Sequence, residues 1–417
     1  MAIKAVRGFN DILPPTTRRW EILEERAREV LEAFGFSEIR VPILEQAVLF
    51  SRSIGEETDI VEKEMYTFED RSGDCVTMRP EATASIVRAY IEHKLYATDP
   101  MVKLYSIGPM FRHERPQKGR HRQFHQINVE VFGVSQPMID AEVMAILMHY
   151  LSLVGARGCH LQINSLGCPD CRLEYKKVLR AFLRDHLPSL CEDCRRRMER
   201  NPLRAFDCKV PGCQEIMSKA PPIIDYLCPA CAEHFSAVRN YLETLQTAYE
   251  VNPRMVRGLD YYTRTTFEVV AGGLGAQNAV AAGGRYDQLV AALGGPDIAG
   301  IGFAIGMERL LLISPDEPPL SAPSLFIAAL GEGPRKEAFS LSYKLNLAGV
   351  KTLIDYEGRS LKAQMRRADK FGARYVLIIG EDEQRRGLAI LRDMEEKKQE
   401  EIPLSSIYEE LVRRGKG

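Results

Sequence analysis

The stretch from Lys103 to Gly133, KLYSIGPMFRHERPQKGRHRQFHQINVEVFG, constrains the fold most, because it reads as two strands joined by a long cationic loop. The strands run from Lys103 to Arg112 and from Arg122 to Phe132. The loop carries Arg112, Arg115, Lys118, Arg120 and Arg122 against one acid, Glu114, with His113 and His121 beside them. On the second strand the period of two puts Gln126, Asn128 and Glu130 on one face and Ile127, Val129 and Val131 on the other. Such a strand ordinarily edges a sheet and turns its polar face to water. The arginine cluster offers a second use, since a row of carboxylate and amide beside guanidinium groups suits a small zwitterionic ligand next to a phosphate.

A chain of 417 residues with 45% hydrophobic content should bury two or three cores. Its net charge of -1 supplies no global field for nucleic acid, so such a partner must be met by local patches. The N-terminus, MAIKAVRGFND, has no apolar signal core, and no run of 18 apolar residues occurs, so a soluble cytoplasmic protein without a membrane partner is expected. The ten cysteines then read as thiols or metal ligands, not disulfides.

Past Arg7-Gly8-Phe9-Asn10-Asp11 and the Pro14-Pro15 break, Trp20, Leu23, Ala27, Val30, Leu31 and Phe34 predict an amphipathic helix, capped by Thr16 or Thr17 and stopped at Gly35. A strand from Glu38 to Leu44 is interrupted by Pro42, which marks an edge or a special packing site. A hairpin of Met65 to Phe68 and Cys75 to Met78 delivers Thr77 to Thr83 into a helix start. Glu81 and Thr83 lie in that first turn, where capping accounts for both residue types as well as ligand binding does. A further helix is predicted from Asp140 to Leu153.

Between about Asn164 and His234 lie eight of the ten cysteines, as Cys168-x2-Cys171, Cys191-x2-Cys194, Cys208-x4-Cys213 and Cys228-x2-Cys231. Two-residue spacing lets both thiolates meet one tetrahedral ion, and these pairs could supply one or two zinc sites with four thiolate ligands each. Redox or merely buried thiols are the alternative, and which pairs share an ion stays open. Arg195, Arg196, Arg197, Arg200 and Arg204 fall on a helix in the same region, either as a solvated face or against a phosphate backbone.

Arg257 to Thr263 leads into a strand from Thr265 to Val270, and Gly283-Gly284-Arg285-Tyr286-Asp287 reads as a glycine turn opening a helix. Gly300 to Gly306 feeds Met307 to Leu312, with glycines spaced almost as in a dinucleotide-binding fingerprint. The spacing is off by one and the expected acid is missing, so that reading is rejected. The glycines instead permit close approach of a flat ligand, with Arg309 free to stack on it or to meet a phosphate. Residues 314–323 are a linker by composition. Beyond it, strands at Leu325–Leu330, Lys351–Asp355, Tyr375–Ile379 and Leu388–Arg392 alternate with helices at Lys336–Leu347, Ser360–Phe371 and from Ser405, which predicts a mainly parallel sheet and a binding module without a catalytic motif.

Arg7 to Pro14, the Pro42 strand, Thr77 to Thr83, Phe111 to Gln117, Arg257 to Thr263, Gly283 to Asp287 and Gly306 to Leu312 together resemble the histidyl-tRNA synthetases, a class II aminoacyl-tRNA synthetase family, in the expected order over nearly the whole chain. The resemblance implies an α+β architecture. It comprises an antiparallel class II catalytic sheet with helices over residues 1–320, a Cys-rich insertion at 165–235 within it, and an α/β anticodon-binding domain at 324–417. It also implies a homodimer formed through the Pro42 strand. The insertion varies in this family, so its cysteines rest on spacing alone.

The implied reaction activates L-histidine with ATP to histidyl-adenylate and transfers it to the 3′ end of tRNA(His), releasing pyrophosphate and AMP. A carboxylate attacking a phosphate needs cations where charge builds. By resemblance, Arg112 and Arg309 grip the phosphates of ATP, with Glu114 and Arg120 also at the nucleotide and Mg2+ on the triphosphate. Arg257 bridges the histidine carboxylate and the α-phosphate. Glu81, Thr83 and Gln126 take the α-amino group, Glu130 and Tyr262 the imidazole nitrogens, and Tyr261 and Tyr286 shape the pocket. A pocket that leaves its polar groups unpaired with any other side chain discriminates by about 10⁴ or more, so no editing domain is needed. The Arg115 to Arg122 loop would guide the acceptor end.

Two rivals share the catalytic fold. The synthetase-like regulatory subunit of histidine biosynthesis typically lacks the anticodon-binding domain and has eroded motifs, whereas both are intact here. Synthetases for threonine, proline, glycine or serine are separated by Arg257-Gly258-Leu259-Asp260-Tyr261-Tyr262, whose tyrosines suit an imidazole. A zinc-dependent nucleic-acid binder would explain the insertion alone.

Overall fold

Trp20, Leu23, Ala27, Val30 and Leu31 recur at helical spacing and are buried, so α1 (Thr16–Ala33) forms where the periodicity predicts a helix. Neither threonine caps it. Pro15 is the N-cap, its φ of -85° already suited to helix entry, and the helix starts at Thr16 itself. Phe34, expected on the buried stripe, is the exposed C-cap, and Gly35 with φ +81° ends the helix. The structure is a computed structural model that describes residues 3–56, 58–272, 274, 278–315 and 324–415. The chain divides into two compact units, Met1–Asp316 and Glu317–Gly417.

Two short strands, β1 (Ser37–Glu38) and β2 (Leu44–Gln46), replace the single strand expected from Glu38 to Leu44. Pro42 has no N–H to give a ladder, and the two pieces join different sheets. After α2 (Ala47–Ile54) come β3 (Tyr66–Glu69), β4 (Cys75–Met78) and α3 (Thr83–Glu92), with β2, β4 and β3 forming a small antiparallel sheet. The long hairpin is β5 (Val102–Phe111) and β6 (Gln123–Phe132). Then follow α4 (Pro137–Leu153), β7 (Cys159–Ser165), α5 (Pro169–Asp185), α6 (Glu192–Arg200), α7 (Pro211–Met217), α8 (Pro229–Thr244), β8 (Glu250–Val251), β9 (Thr263–Ala271), β10 (Ala279–Arg285), α9 (Leu289–Ala292), β11 (Gly300–Gly306) and α10 (Met307–Ile313).

Eight strands make one sheet in the order β1-β5-β6-β11-β10-β9-β7-β8, antiparallel except for β1 with β5 and β7 with β8 at its ends. β6 therefore lies inside the sheet, not at an edge. Ile127, Val129 and Val131 pack into a core with residues of α1, α4 and α8. Asn128 and Glu130, on the opposite face, are each 1% exposed, so the polar face is not turned to water. That face shares its side of the sheet with a second core, which joins α3 to Tyr175, Leu179 and Leu183 of α5 and to buried cysteines of the insertion.

Gly283 and Gly284 lie inside β10, not in a turn opening a helix. The need for glycine is proximity: a Cβ on Gly283 would stand 2.3 Å from the Gly302 carbonyl oxygen and 2.6 Å from the Phe267 ring. Arg285, which follows, is fully buried and pairs with Asp140 of α4.

In the second unit β12 (Leu325–Ala329), α11 (Glu332–Leu347), β13 (Thr352–Ile354), α12 (Leu361–Lys370), β14 (Tyr375–Ile379), α13 (Glu381–Arg385), β15 (Leu388–Asp393), β16 (Gln399–Pro403) and α14 (Ile407–Gly415) build a sheet of order β13-β12-β14-β15-β16. The first three strands are parallel, and β15 and β16 add an antiparallel hairpin. Sequence reading misses β16 because only Ile402 of Gln-Glu-Glu-Ile-Pro is buried. Most of the linker expected at 314–323 lies outside the described residues. No helix among the described residues is long and apolar enough to cross a membrane.

Candidate active site

At the entry to α3, the Glu81 carboxylate accepts the backbone N–H groups of Thr83 at 2.6 Å and Ala84 at 2.9 Å. Glu81 thus does cap the helix, and it also lines the cleft described below. Burial pushes its carboxyl up, opposed by those two N–H groups. The Thr83 hydroxyl donates at 2.6 Å to Glu130, which also accepts from the Tyr286 hydroxyl. Burial pushes the Glu130 carboxyl up to about 8, against the pull of these two donors. Tyr261 stacks obliquely on Tyr262, with ring centroids 4.6 Å apart, and meets Tyr286 edge-on at 5.7 Å.

Cations gather on the other side. Arg112, leaving β5, donates from Nε to the Pro80 carbonyl at 2.9 Å and lies over the Phe124 ring at 5.3 Å. Arg309 of α10 donates from Nη1 to the Ala279 carbonyl at 2.5 Å and from Nε to that of Gly119 at 3.3 Å. Burial, then the nearby Arg120 cation, lowers its pKa. Glu114 pairs with Arg120 at 2.7 Å, and Arg257 with Glu268 at 3.1 Å.

These groups surround one open cleft of about 220 Å³. Glu81, Thr83, Arg112, Glu114, Arg120, Gln126, Arg257, Tyr261, Tyr262, Tyr286 and Arg309 all line it, although they come from segments up to 228 residues apart in sequence, from Glu81 to Arg309. Glu130 stands behind Thr83 and Tyr286. Of the ten buried side-chain atoms without a hydrogen-bond partner among the described residues, Arg257 Nε, Gln126 Oε1 and Asn128 Nδ2 belong to residues that line this cleft. Buried polar groups are rarely left so, and three of them facing one cleft call for a polar ligand.

Sequence reading passed over Glu268, the acid partner of Arg257, and Phe124, the ring beneath Arg112. Glu268 is the single acid in β9, which was a usable signal. Glu308, which accepts the backbone N–H of His125 at 3.0 Å, was likewise unmarked. Gly302 proves to make room for a protein side chain: a Cβ there would stand 1.9 Å from Glu130 Oε2 and 2.3 Å from the Val129 carbonyl oxygen. Gly302→Ala should therefore displace Glu130, costing about 1–3 kcal/mol of stability and weakening ligand binding. Urea denaturation with an unmoved midpoint would contradict this.

The insertion brings its thiols together in two groups, Cys168 with Cys171, Cys228 and Cys231, and Cys191 with Cys194, Cys208 and Cys213. Within each group the sulfurs lie within 4.8 Å of one another, so each could hold a metal ion. Cys168, Cys191 and Cys228 are the N-caps of α5, α6 and α8. Helix N-termini favour thiolate, and backbone N–H groups already point at sulfur, from Cys194 to Cys191 at 3.4 Å and from Cys228 to Cys171 at 3.0 Å.

The family model described as histidyl-tRNA synthetase matches residues 8–310, and that described as anticodon binding domain matches residues 324–414. A histidine–tRNA ligase of Geobacter sulfurreducens is 59% identical over 97% of this chain and 98% of its own length. One of Syntrophotalea carbinolica is 54% identical over the whole of both chains. Among solved structures, apo histidyl-tRNA synthetase of Staphylococcus aureus superposes with a TM-score of 0.83 at 35% identity, covering 99% of this chain and all of that one. With two domain models matched in order and full-length relatives more than half identical, this chain belongs to the histidyl-tRNA synthetase family.

Proposed function

We propose that the cleft carries out both steps of histidine–tRNA ligation, with the residue roles set out here. The ligase activates L-histidine with ATP to histidyl-adenylate, releasing pyrophosphate, then transfers histidine to the 3′ end of tRNA(His), releasing AMP. The observation that carries the roles is the set of unpartnered buried donors and acceptors on Arg257, Gln126 and Asn128, set between a carboxylate-tyrosine pocket and an arginine cluster. A zwitterion with a flat polar side chain suits the first part and a triphosphate the second.

In this reading ATP enters as its Mg2+ complex, held by Arg112 and Arg309, with Glu114 and Arg120 at the nucleotide. Glu81, Thr83 and Gln126 receive the α-ammonium group. Glu130 and Tyr262 take the imidazole nitrogens between Tyr261 and Tyr286. Arg257, partly neutralised by Glu268, offers its unpaired Nε to the histidine carboxylate and the α-phosphate as negative charge accumulates between them. Unit Met1–Asp316 is then the catalytic domain with its insertion at 165–235, and the second unit reads the anticodon. Each tetrathiolate holds one structural zinc, the ion its soft ligands and count suit best. The enzyme works in the cytoplasm, where its tRNA partner is charged. It works as a homodimer, for which exposed Ile43, Leu44, Val48 and Phe68 around Pro42 provide an apolar surface.

Histidine-dependent exchange of pyrophosphate into ATP, run against the other amino acids, tests the reaction. Exchange with histidine alone is expected, and none with any amino acid would refute it. Glu130→Gln should raise the Michaelis constant for histidine roughly 2- to 13-fold, the worth of one hydrogen bond between neutral groups, and spare that for ATP. An unchanged histidine constant would remove Glu130 from the pocket. The same variant has a pH signature. The folded-state value of about 8 exceeds the ordinary 4.5, so the folded protein keeps a proton that the unfolded chain has released. Glu130 therefore lowers stability as pH rises across that window, and Glu130→Gln should flatten the loss in thermal denaturation.

A further inference from the structure

The segment Arg257 to Tyr262 carries three proposed site residues yet belongs to no strand or helix. Its backbone must be held from outside, and two arginines of the insertion hold it. Arg172 Nη1 donates to the Tyr262 carbonyl at 2.9 Å and to that of Asp260 at 3.3 Å. Arg204 Nη1 donates to the Arg257 carbonyl at 3.0 Å, and its Nη2 meets Asp260 Oδ1 at 2.5 Å. Asn201 adds a 3.5 Å contact to the same carboxylate oxygen.

Each arginine sits beside one thiol cluster. Arg172 follows Cys171 directly in the first turn of α5, whose N-cap is Cys168. Arg204 lies in the short helical segment Pro202–Asp207, whose C-cap is Cys208, and its carbonyl accepts from Arg197 of α6, the helix capped by Cys191. A metal ion fixing four sulfurs fixes these helix ends, and so fixes where the two guanidinium groups point.

The geometry points to a coupling between metal and substrate: the two tetrathiolate sites hold Arg172 and Arg204 as positioning residues for the histidine-reading segment Arg257–Tyr262. This rests on the proposed reading of the thiol clusters as zinc sites and of the cleft as the histidine pocket. The nucleotide side is built elsewhere, on β5, α10 and the loop bearing Arg120, and neither arginine touches it among the described contacts. Loss of metal should consequently damage histidine binding far more than ATP binding.

The test uses the full-length protein, with zinc measured by elemental analysis, histidine affinity by calorimetry, and Michaelis constants for histidine and ATP by pyrophosphate exchange. Wild type is expected to carry two equivalents of zinc, one for each thiol cluster, and a Cys191→Ser/Cys194→Ser double variant one. Arg204→Ala and Arg172→Ala should retain both ions. All three variants should bind histidine roughly 10- to 100-fold more weakly, with the ATP constant little changed. Arginine variants that keep their zinc and bind histidine like wild type would overturn the coupling and leave the metal sites standing. Equal losses for histidine and ATP would overturn it too, because they indicate general loosening. Absence of zinc from folded wild-type protein would overturn the metal reading itself. The arginine variants keep the idea testable if the cysteine variant does not fold.

Discussion

Arg257→Ala is expected to slow histidyl-adenylate formation by about 10²–10³-fold, the usual effect of removing one preorganised donor from a developing charge. Histidine binding should weaken far less. Arg257 is held from below by Glu268 at 3.1 Å and lies 5.7 Å from the Tyr262 ring, which leaves Nε as the unsatisfied donor. Such a donor gains most when two anions converge on it, and less when only one is bound. Rapid-quench measurement of adenylate formation beside equilibrium dialysis of histidine separates the two. Equal losses in rate and affinity would assign Arg257 to ground-state binding. Arg257→Lys should recover little, because an ammonium cannot span two oxygens as the guanidinium fork does.

The second large effect concerns folding. Asp140 and Arg285 are both fully buried, with Arg285 Nε 3.1 and 3.2 Å from the two carboxylate oxygens. Asp140→Ala leaves a guanidinium in the core with the Val134 carbonyl and Asp287, each at 3.0 Å, and the Gln136 carbonyl at 3.4 Å as its remaining partners. The loss should be about 3–5 kcal/mol, read as a shift of the urea midpoint at unchanged slope. Replacing both partners by apolar residues of similar volume should cost much less, since the pair stabilises chiefly by satisfying itself. A small effect of Asp140→Ala would mean that Asp287 alone compensates the cation.

The β5–β6 hairpin, the alternation on β6, the helix at Met307 and the strand-helix order of the second unit were legible because each is a local pattern of period two or 3.6. What failed was tertiary. Gly283 and Gly284 read as a turn because nothing local reveals that β11 passes against them. The polar face of β6 allowed both a solvated edge and a ligand-facing surface, because a pleat cannot say what covers it. Glu268 and Phe124 escaped notice because their meaning lies in a partner distant in sequence or in the cation they meet. The cysteine spacing gave ligand type but not pairing, which needed the ends of the insertion to be seen side by side.

The position of β6 inside the sheet has a consequence for how the protein reaches its fold. The strand is paired on both sides, to β5 from Gln123 to Phe132 and to β11 from Gln126 to Phe132. A slip of one residue in either ladder would turn Gln126, Asn128 and Glu130 into the apolar core and drive Ile127, Val129 and Val131 into the cleft. The polar residues on the cleft side of β6 therefore also reject mispaired sheets, so one six-residue alternation shapes the cleft wall and guards fidelity of assembly. Apolar substitutions on the polar side should accordingly produce slippage and aggregation before they produce simple loss of activity.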